Sequence, residues 1–217
     1  MKPDISICMP CFGRPLRTRR MLECLRAQTK NGFELLLIGD GCPDFEEMIK
    51  SEWFAAWQKD FLKKKNKLFV TNFSKNYGGY GAEALNVGIW HAKGRYFCFA
   101  NNDDIVATEH IEFYLLAMKN LSRFDPDFVY TKTMINSGHG FFERDPSLKF
   151  GCVGHSELIV RTDFLKQMPP YEPVYGHDWK QIENMLIKSR SYKKAINIPF
   201  PTYYVMSTPD FRETEID

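Results

Sequence analysis

Three short polar clusters in this chain hold the residue types from which phosphate, metal and proton chemistry is built. They are Gly39-Asp40-Gly41, Asn101-Asn102-Asp103-Asp104 and Gly176-His177-Asp178-Trp179. An ionised carboxylate only accepts hydrogen bonds, which suits Asp40 to imide and ribose hydroxyl donors; its alternative is an ordinary turn residue between two glycines. Carboxylates at a strand end can hold a hard divalent cation that neutralises a diphosphate, so the Asp103-Asp104 pair is expected to bind metal, with helix or turn capping by Asp103 as the structural alternative. Asp178 either caps the helix that follows it or takes a proton as a general base, and His177 is its neighbour in both readings. His155, in Gly154-His155-Ser156, is either a loop residue or an acceptor contact.

Apolar runs deliver these clusters. Ile5-Ser6-Ile7-Cys8-Met9, Phe33-Glu34-Leu35-Leu36-Leu37-Ile38, Lys67-Leu68-Phe69-Val70-Thr71 and Arg95-Tyr96-Phe97-Cys98-Phe99-Ala100 read as buried strands that open into polar loops. Between them lie helical stretches over Leu16–Arg26, Asp44–Lys65 and Ala82–His91, the last stopped by Gly94. Strand and helix alternating in this way predict an α/β domain: a Rossmann-like layered sheet, mostly parallel, with helices on both faces. Ligands of such sheets bind beyond the carboxyl ends of the strands, so the loops carrying Asp40, Gly78 to Gly81 and Asp103 should share one crevice.

The second half is less regular. A helix is expected over Ile111–Leu121, strands over Phe128–Thr131 and Leu158–Val160, a loop-like stretch from Asn136 to Lys149 with Gly138, Gly140 and Pro146, an amphipathic helix over Trp179–Ser189 and an extended tail from Ala195 to Val205. No repeat or linker divides the 217 residues, so one domain is expected.

The charge balance of 29 basic against 27 acidic residues argues against a nucleic-acid-coating protein. No apolar run approaches the roughly 20 residues of a membrane span, and the N-terminus lacks a signal-peptide pattern. Cytoplasmic location is the expectation, with peripheral membrane contact left open. Six scattered cysteines read as reduced, buried thiols; Cys8-Met9-Pro10-Cys11 has no second pair to complete a zinc site. Gly79-x-Gly81-x-x-Ala84 imitates a dinucleotide fingerprint and keeps an oxidoreductase among the alternatives, although Asn72 to Gly78 separates the glycines from their strand. The arginines of the first helix form a solvated face, with Arg14 and Arg17 near enough to the strand end to meet a phosphate.

In order and spacing these pieces resemble the family 2 glycosyltransferases of the GT-A fold, from Ile5 to about Tyr204. Ile5 to Pro15 is similar to the family's opening strand and loop, and Phe33 to Cys42 to its second strand and nucleotide-binding aspartate. Asn76 to Gly88 is similar to the segment leading into its Asn-x-Gly helix, Gly94 to Asp104 to its Asp-x-Asp strand, and Gly176-His177-Asp178-Trp179 to its Glu-Asp pair. The resemblance implies an inverting, metal-dependent transfer from a nucleoside-diphosphate sugar to a glycan or other hydroxyl acceptor. It implies Asp178 as base, Mg²⁺ or Mn²⁺ on Asp103, and donor contacts from Pro10, Cys11, Phe12, Asp40, Gly79, Asn86, Asn102 and Asp103. His155 and His177 fall on the acceptor side. The nucleotide half would span about residues 1–104 and the acceptor half about 105–217. Three departures stand out: Asn101 replaces the first acid of Asp-x-Asp, His177 replaces the usual Glu, and Val205-Met206-Ser207-Thr208 lacks a histidine after the last strand. A non-catalytic nucleotide-sugar or glycan-binding module is the other alternative.

Overall fold

A computed structural model describes residues 2–136, 140–144, 147–189 and 195–206. Four apolar runs form parallel neighbours: β1 (Ile5–Cys11), β2 (Glu34–Gly39), β3 (Lys67–Asn72) and β4 (Tyr96–Phe99), in the spatial order β3-β2-β1-β4. The sheet continues past β4 through antiparallel β8 (Leu158–Arg161), β6 (Phe128–Asn136), β9 (Ala195–Val205) and the two-residue β5 (Ile105–Val106). β9 runs parallel to β6, and their register shifts where Pro199 and Pro201 cannot donate to the ladder.

Successive strand residues point to opposite faces, and both faces are covered. Ile5, Ile7 and Met9 of β1 with Leu35 and Leu37 of β2 pack against α1 (Pro15–Arg26), α2 (Pro43–Lys50), α3 (Glu52–Lys63) and α5 (His110–Asn120). Cys8, Leu36, Ile38, Phe97 and Phe99 face α4 (Ala82–His91), α6 (Thr162–Leu165) and α7 (His177–Ser189). On the first face Phe33, Phe54, Trp57 and Phe61 form a ring stack, and buried Trp57 donates its indole N–H to Leu22 O at 3.0 Å. Burying each phenylalanine contributes about 1.5–3 kcal/mol. On the second face Gly88 lets α4 lie directly on Cys8, where a methyl group would overlap the sulfur.

Several boundaries differ from expectation. The stretch expected as one helix from Asp44 to Lys65 is two, because Ser51 is extended at ψ 153° and its hydroxyl accepts the N–H of Phe54 at 3.2 Å as an N-cap. α4 spans Ala82–His91 as expected, whereas Gly94, read as its stop, packs against the backbone of Ser6. Within the stretch expected as a loop, Phe141–Arg144 forms β7, which pairs with β6 beyond the reach of β8. Its phenylalanines are exposed, so no burial pattern marks it. Gly138 and Pro146 lie outside the described residues. All six cysteines are free thiols, with Cys24 and Cys152 only partly buried. Burial pushes the Cys8 and Cys11 thiols far up, which makes them poor redox groups. No helix of the described residues is long and apolar enough to cross a membrane.

Candidate functional site: two cavities at the carboxyl ends of the strands

Parallel pairing brings three loops to one edge. Cys11 pairs with Gly39 and Cys8 with Phe99, so Asp40 N donates to Cys11 O at 3.0 Å and Ala100 N to Cys8 O at 2.9 Å. A first cavity of about 480 Å³ opens here. Pro10, Cys11, Phe12, Arg14, Asp40, Asn102, Asp103 and His155 all line it, together with Tyr80 from the glycine-rich turn.

Asp40 is 3% exposed. Its Oδ1 accepts the N–H of Tyr77 at 3.0 Å, and the Asn76 amide donates to its backbone O at 2.9 Å. The carboxylate thus holds the 76–77 loop while lining the cavity. Gly41 makes the approach feasible: φ is +64°, and a methyl group would overlap the backbone of Lys75 and Asn76.

The Asn101–Asp104 cluster divides by direction. Asp104 turns inward, so the expected carboxylate pair does not act together. Its Oδ1 accepts the N–H of Met206 at 2.9 Å, and its Oδ2 accepts from Asn101 Nδ2 at 2.9 Å and the Tyr203 hydroxyl at 3.0 Å. Burial raises the Asp104 carboxyl to about 6 against the pull of the Met206 N–H. Asn102 lines the cavity but spends its amide on Gly13 O and Thr18 Oγ1, tying the loop to α1. Asp103 remains at the wall, ion-paired with Arg14, while Arg20 donates to its backbone O at 2.8 Å.

A second cavity of about 230 Å³ adjoins the first along Gly154-His155, with Gly154 on one side and His155 on the other. Asp178 lines this second cavity, not the first. α7 begins at His177, so both residues sit inside its first turn, and Asp178 Oδ1 accepts the N–H of Trp179 at 2.8 Å. His155 stacks on Phe99 with centroids 5.0 Å apart and approaches Asn101 Oδ1 at 3.4 Å. Burial lowers His155 to about 4 and also lowers His177, in each case against the nearby Asp178 charge, so both imidazoles are neutral at pH 7. Tyr80 reaches from the first cavity towards Tyr175 of the second, with centroids 6.0 Å apart.

Two expected donor contacts sit elsewhere. Asn86 bonds reciprocally with the backbone of Tyr171, at 3.0 and 2.7 Å. Gly79 packs on Pro173 and is not among the lining residues, unlike Gly78 and Gly81. Gly79 is therefore a packing contact between two loops, while the rest of the glycine turn stays at the cavity wall. Arg144 was not expected at a site; its residue type is a signal, but β7 shows no burial pattern that would place it.

Among the described residues no three His, Cys, Asp or Glu side chains gather as a metal-binding group. The wall offers two carboxylates: Asp40, which accepts from Tyr77 and Asn76, and Asp103 beside Arg14. That fits Mg²⁺ or Mn²⁺ held chiefly by substrate phosphates and water, the usual arrangement for a cation sharing one or two carboxylates with a diphosphate. Ser207 and Thr208, at which no histidine ligand was expected, lie outside the described residues.

The sequence profile of "Glycosyl transferase family 2" matches residues 6–200. The chain is 31% identical over 184 residues to the glycosyltransferase GlyG of Streptococcus pneumoniae, covering 83% of this chain and 52% of that one. It superposes on S. aureus TarS 1-349 in complex with UDP-GlcNAc with a TM-score of 0.69, at 18% identity, over 100% of this chain and 62% of that one. The mannosyltransferase PcManGT of Pyrobaculum calidifontis, in complex with GDP-Man and Mn²⁺, gives 0.70 at 14% identity, over 97% and 59%. The fold is the one these GT-A proteins share. The chain spans only part of such relatives, and 34% of an uncharacterized glycosyltransferase of Rickettsia typhi to which it is 29% identical over 123 residues, 57% of its own length.

Proposed function

The chain belongs to glycosyl transferase family 2, and on that premise we propose that it transfers a sugar from a nucleoside diphosphate to a hydroxyl acceptor with inversion at the anomeric carbon. The observation that carries this reading is the convergence of Asp40, Asp103 and Arg14 on one cavity at the carboxyl ends of β1, β2 and β4. Known GT-A neighbours bind UDP-GlcNAc and GDP-Man, which supports the same donor class here.

Asp40, with backbone from Pro10 to Phe12, receives the nucleoside, because a buried carboxylate accepts base or ribose donors. Asp103 and Arg14 meet the diphosphate. Asp103 would hold the divalent cation; when bound, such a cation neutralises charge developing on the leaving nucleoside diphosphate. Asp178, across Gly154-His155, takes the proton of the acceptor hydroxyl. The acceptor oxygen then bonds to the anomeric carbon as the carbon–oxygen bond to the diphosphate breaks. A neutral His155 at the boundary supplies a hydrogen bond without adding charge.

Calorimetry with UDP and GDP, with and without Mn²⁺, tests the donor half of this reading. One nucleotide should bind more tightly with the metal, and Asp103→Ala should abolish the metal-linked gain in a folded chain. Unchanged metal-linked affinity would remove Asp103 from the donor site. Binding without transfer to any hydroxyl acceptor would instead favour the binding-module alternative, for which Asn101 in an acidic position is the supporting observation.

A further inference from the structure

The second cavity combines a fixed cation with exposed aromatic rings, next to the carboxylate read as base. Glu157 is fully buried, and its carboxylate binds Arg144 twice: Nε donates to Oε1 at 3.0 Å and Nη2 at 2.6 Å. Thr133 Oγ1 and Gly154 N complete the set of donors, at 2.7 and 2.6 Å. A buried carboxylate with four such bonds is locked, and it locks the guanidinium in turn. Arg144 lines the cavity with its side chain 28% exposed, and its Nη1 has no partner among the described residues.

The rings of Phe150, Tyr175 and Trp179 line the cavity too, beside Asp178. Phe150 and Trp179 meet edge to face at 6.5 Å, while Phe150 and Tyr175 are largely exposed. Exposed aromatic rings flanking a held arginine favour a ligand with an apolar ring or chain face and an anionic group. Glu157 needs a cation, but a lysine would supply that; the planar fork with a spare edge suits a second oxyanion.

We propose that Arg144 is a specificity-determining residue and that the acceptor is anionic, a sugar or polyol carrying a phosphate or carboxylate. This deepens the reading of Asp178 as base and rests on it: the anionic group on Arg144 leaves a hydroxyl of the same molecule beside Asp178.

The test uses the full chain saturated with UDP or GDP and Mn²⁺, titrated with glycerol 3-phosphate, glucuronate and glycerol while tryptophan fluorescence is followed. Trp179→Phe identifies the signal from this cavity. At least one anionic probe should bind at least tenfold more tightly than glycerol, with the signal lost in Trp179→Phe, and the phosphate and carboxylate arms separate the two chemistries. Arg144→Lys keeps a cation against Glu157, so the chain should stay folded, yet it should lose most of that preference with nucleotide affinity unchanged. Equal binding of all three probes, a preference retained in Arg144→Lys, or a signal surviving in Trp179→Phe overturns the proposal. If no nucleotide binds while the anionic preference and its loss in Arg144→Lys are still seen, the proposed function fails and the role of Arg144 in anion recognition stands.

Discussion

The two cavities are built by different means. The first lies over β1, β2 and β4, three parallel strands buried on both faces, whose ends register sets side by side while Asp40, Asn102 and the Arg14–Asp103 pair tie the loops beyond them. The second is assembled from β7, the turn at Gly151–Gly154 and the start of α7; the four hydrogen bonds of the buried Glu157 tie β7 to β6 and to Gly154. Backbone ladders place a group wherever the chain leaves the sheet. A polar joint places it only if every partner is present, because one missing partner leaves a buried charge uncompensated. The first cavity thus rests mainly on backbone register, and the second on a buried polar joint.

The largest expected consequence is chemical. Asp178→Asn keeps the shape and the bond to Trp179 N but removes the base, so transfer should fall by about 10²–10⁴-fold with donor affinity unchanged. A collapse in His177→Gln, with near-normal rates in Asp178→Asn, would move the base role to His177. Activity retained in both variants would remove the second cavity from the chemistry. Next in size, Asp40→Ala should weaken nucleoside diphosphate binding by about 1–3 kcal/mol in calorimetry, the scale of a lost hydrogen bond to a charged group. No change would make Asp40 a loop support alone, holding Tyr77 and Asn76.

Acid should act first on the second half of the chain. His110 of α5 is buried against Thr202 of β9, and burial lowers it from 6.5 to about 3. The unfolded chain therefore binds the proton more readily. Stability from this group is complete above about pH 6.5 and declines as pH falls towards 3, by about 2 kcal/mol between pH 7 and pH 5. Asp104, raised to about 6, works in the opposite sense, losing stability as pH rises from the ordinary carboxylate range through 6. Comparing melting curves of wild type and His110→Gln at pH 7 and 5 isolates the histidine: the variant should lose less stability on acidification. Equal losses would exclude His110 as the cause. The smallest effect belongs to the first half: Ser51→Ala removes the cap of α3 and should cost about 1 kcal/mol in denaturant unfolding, with both cavities unaffected. A matching loss of nucleotide affinity would show that the first cavity depends on α3 as well as on backbone register.

The same difference governs what the residues reveal before folding is known. Parallel strands buried on both faces write themselves as continuous apolar runs, so β1, β2 and β4 and the loops after them were legible, including Asp40 and Asp103, and the half-buried edge strand β3 was legible from its own short apolar run. β7 was not, because Phe141 and Phe142 are exposed and its ties to β6 and β9, such as Lys132–Glu143 and Phe141 against Tyr204, are made across the sheet. Asn86 illustrates a different gap: its place in a motif was readable, but its amide bonds lie on Tyr171, 85 residues away in the chain.

By itself the sequence determined the strand order along the first half, its parallel pairing and the edge at which the polar loops gather, since these follow from local periodicity and the right-handed crossover. Only the tertiary structure decided which polar residues face a cavity. Asp103 and Asp104 are adjacent and chemically identical, yet one lies at the wall with Arg14 and the other is buried under Tyr203 and Met206. It also decided that Asp178 and Asp103 occupy different cavities and that Arg144 reaches Glu157. Side-chain direction at a loop depends on which distant donors arrive there, and those donors are set by packing between elements rather than by the residues alongside.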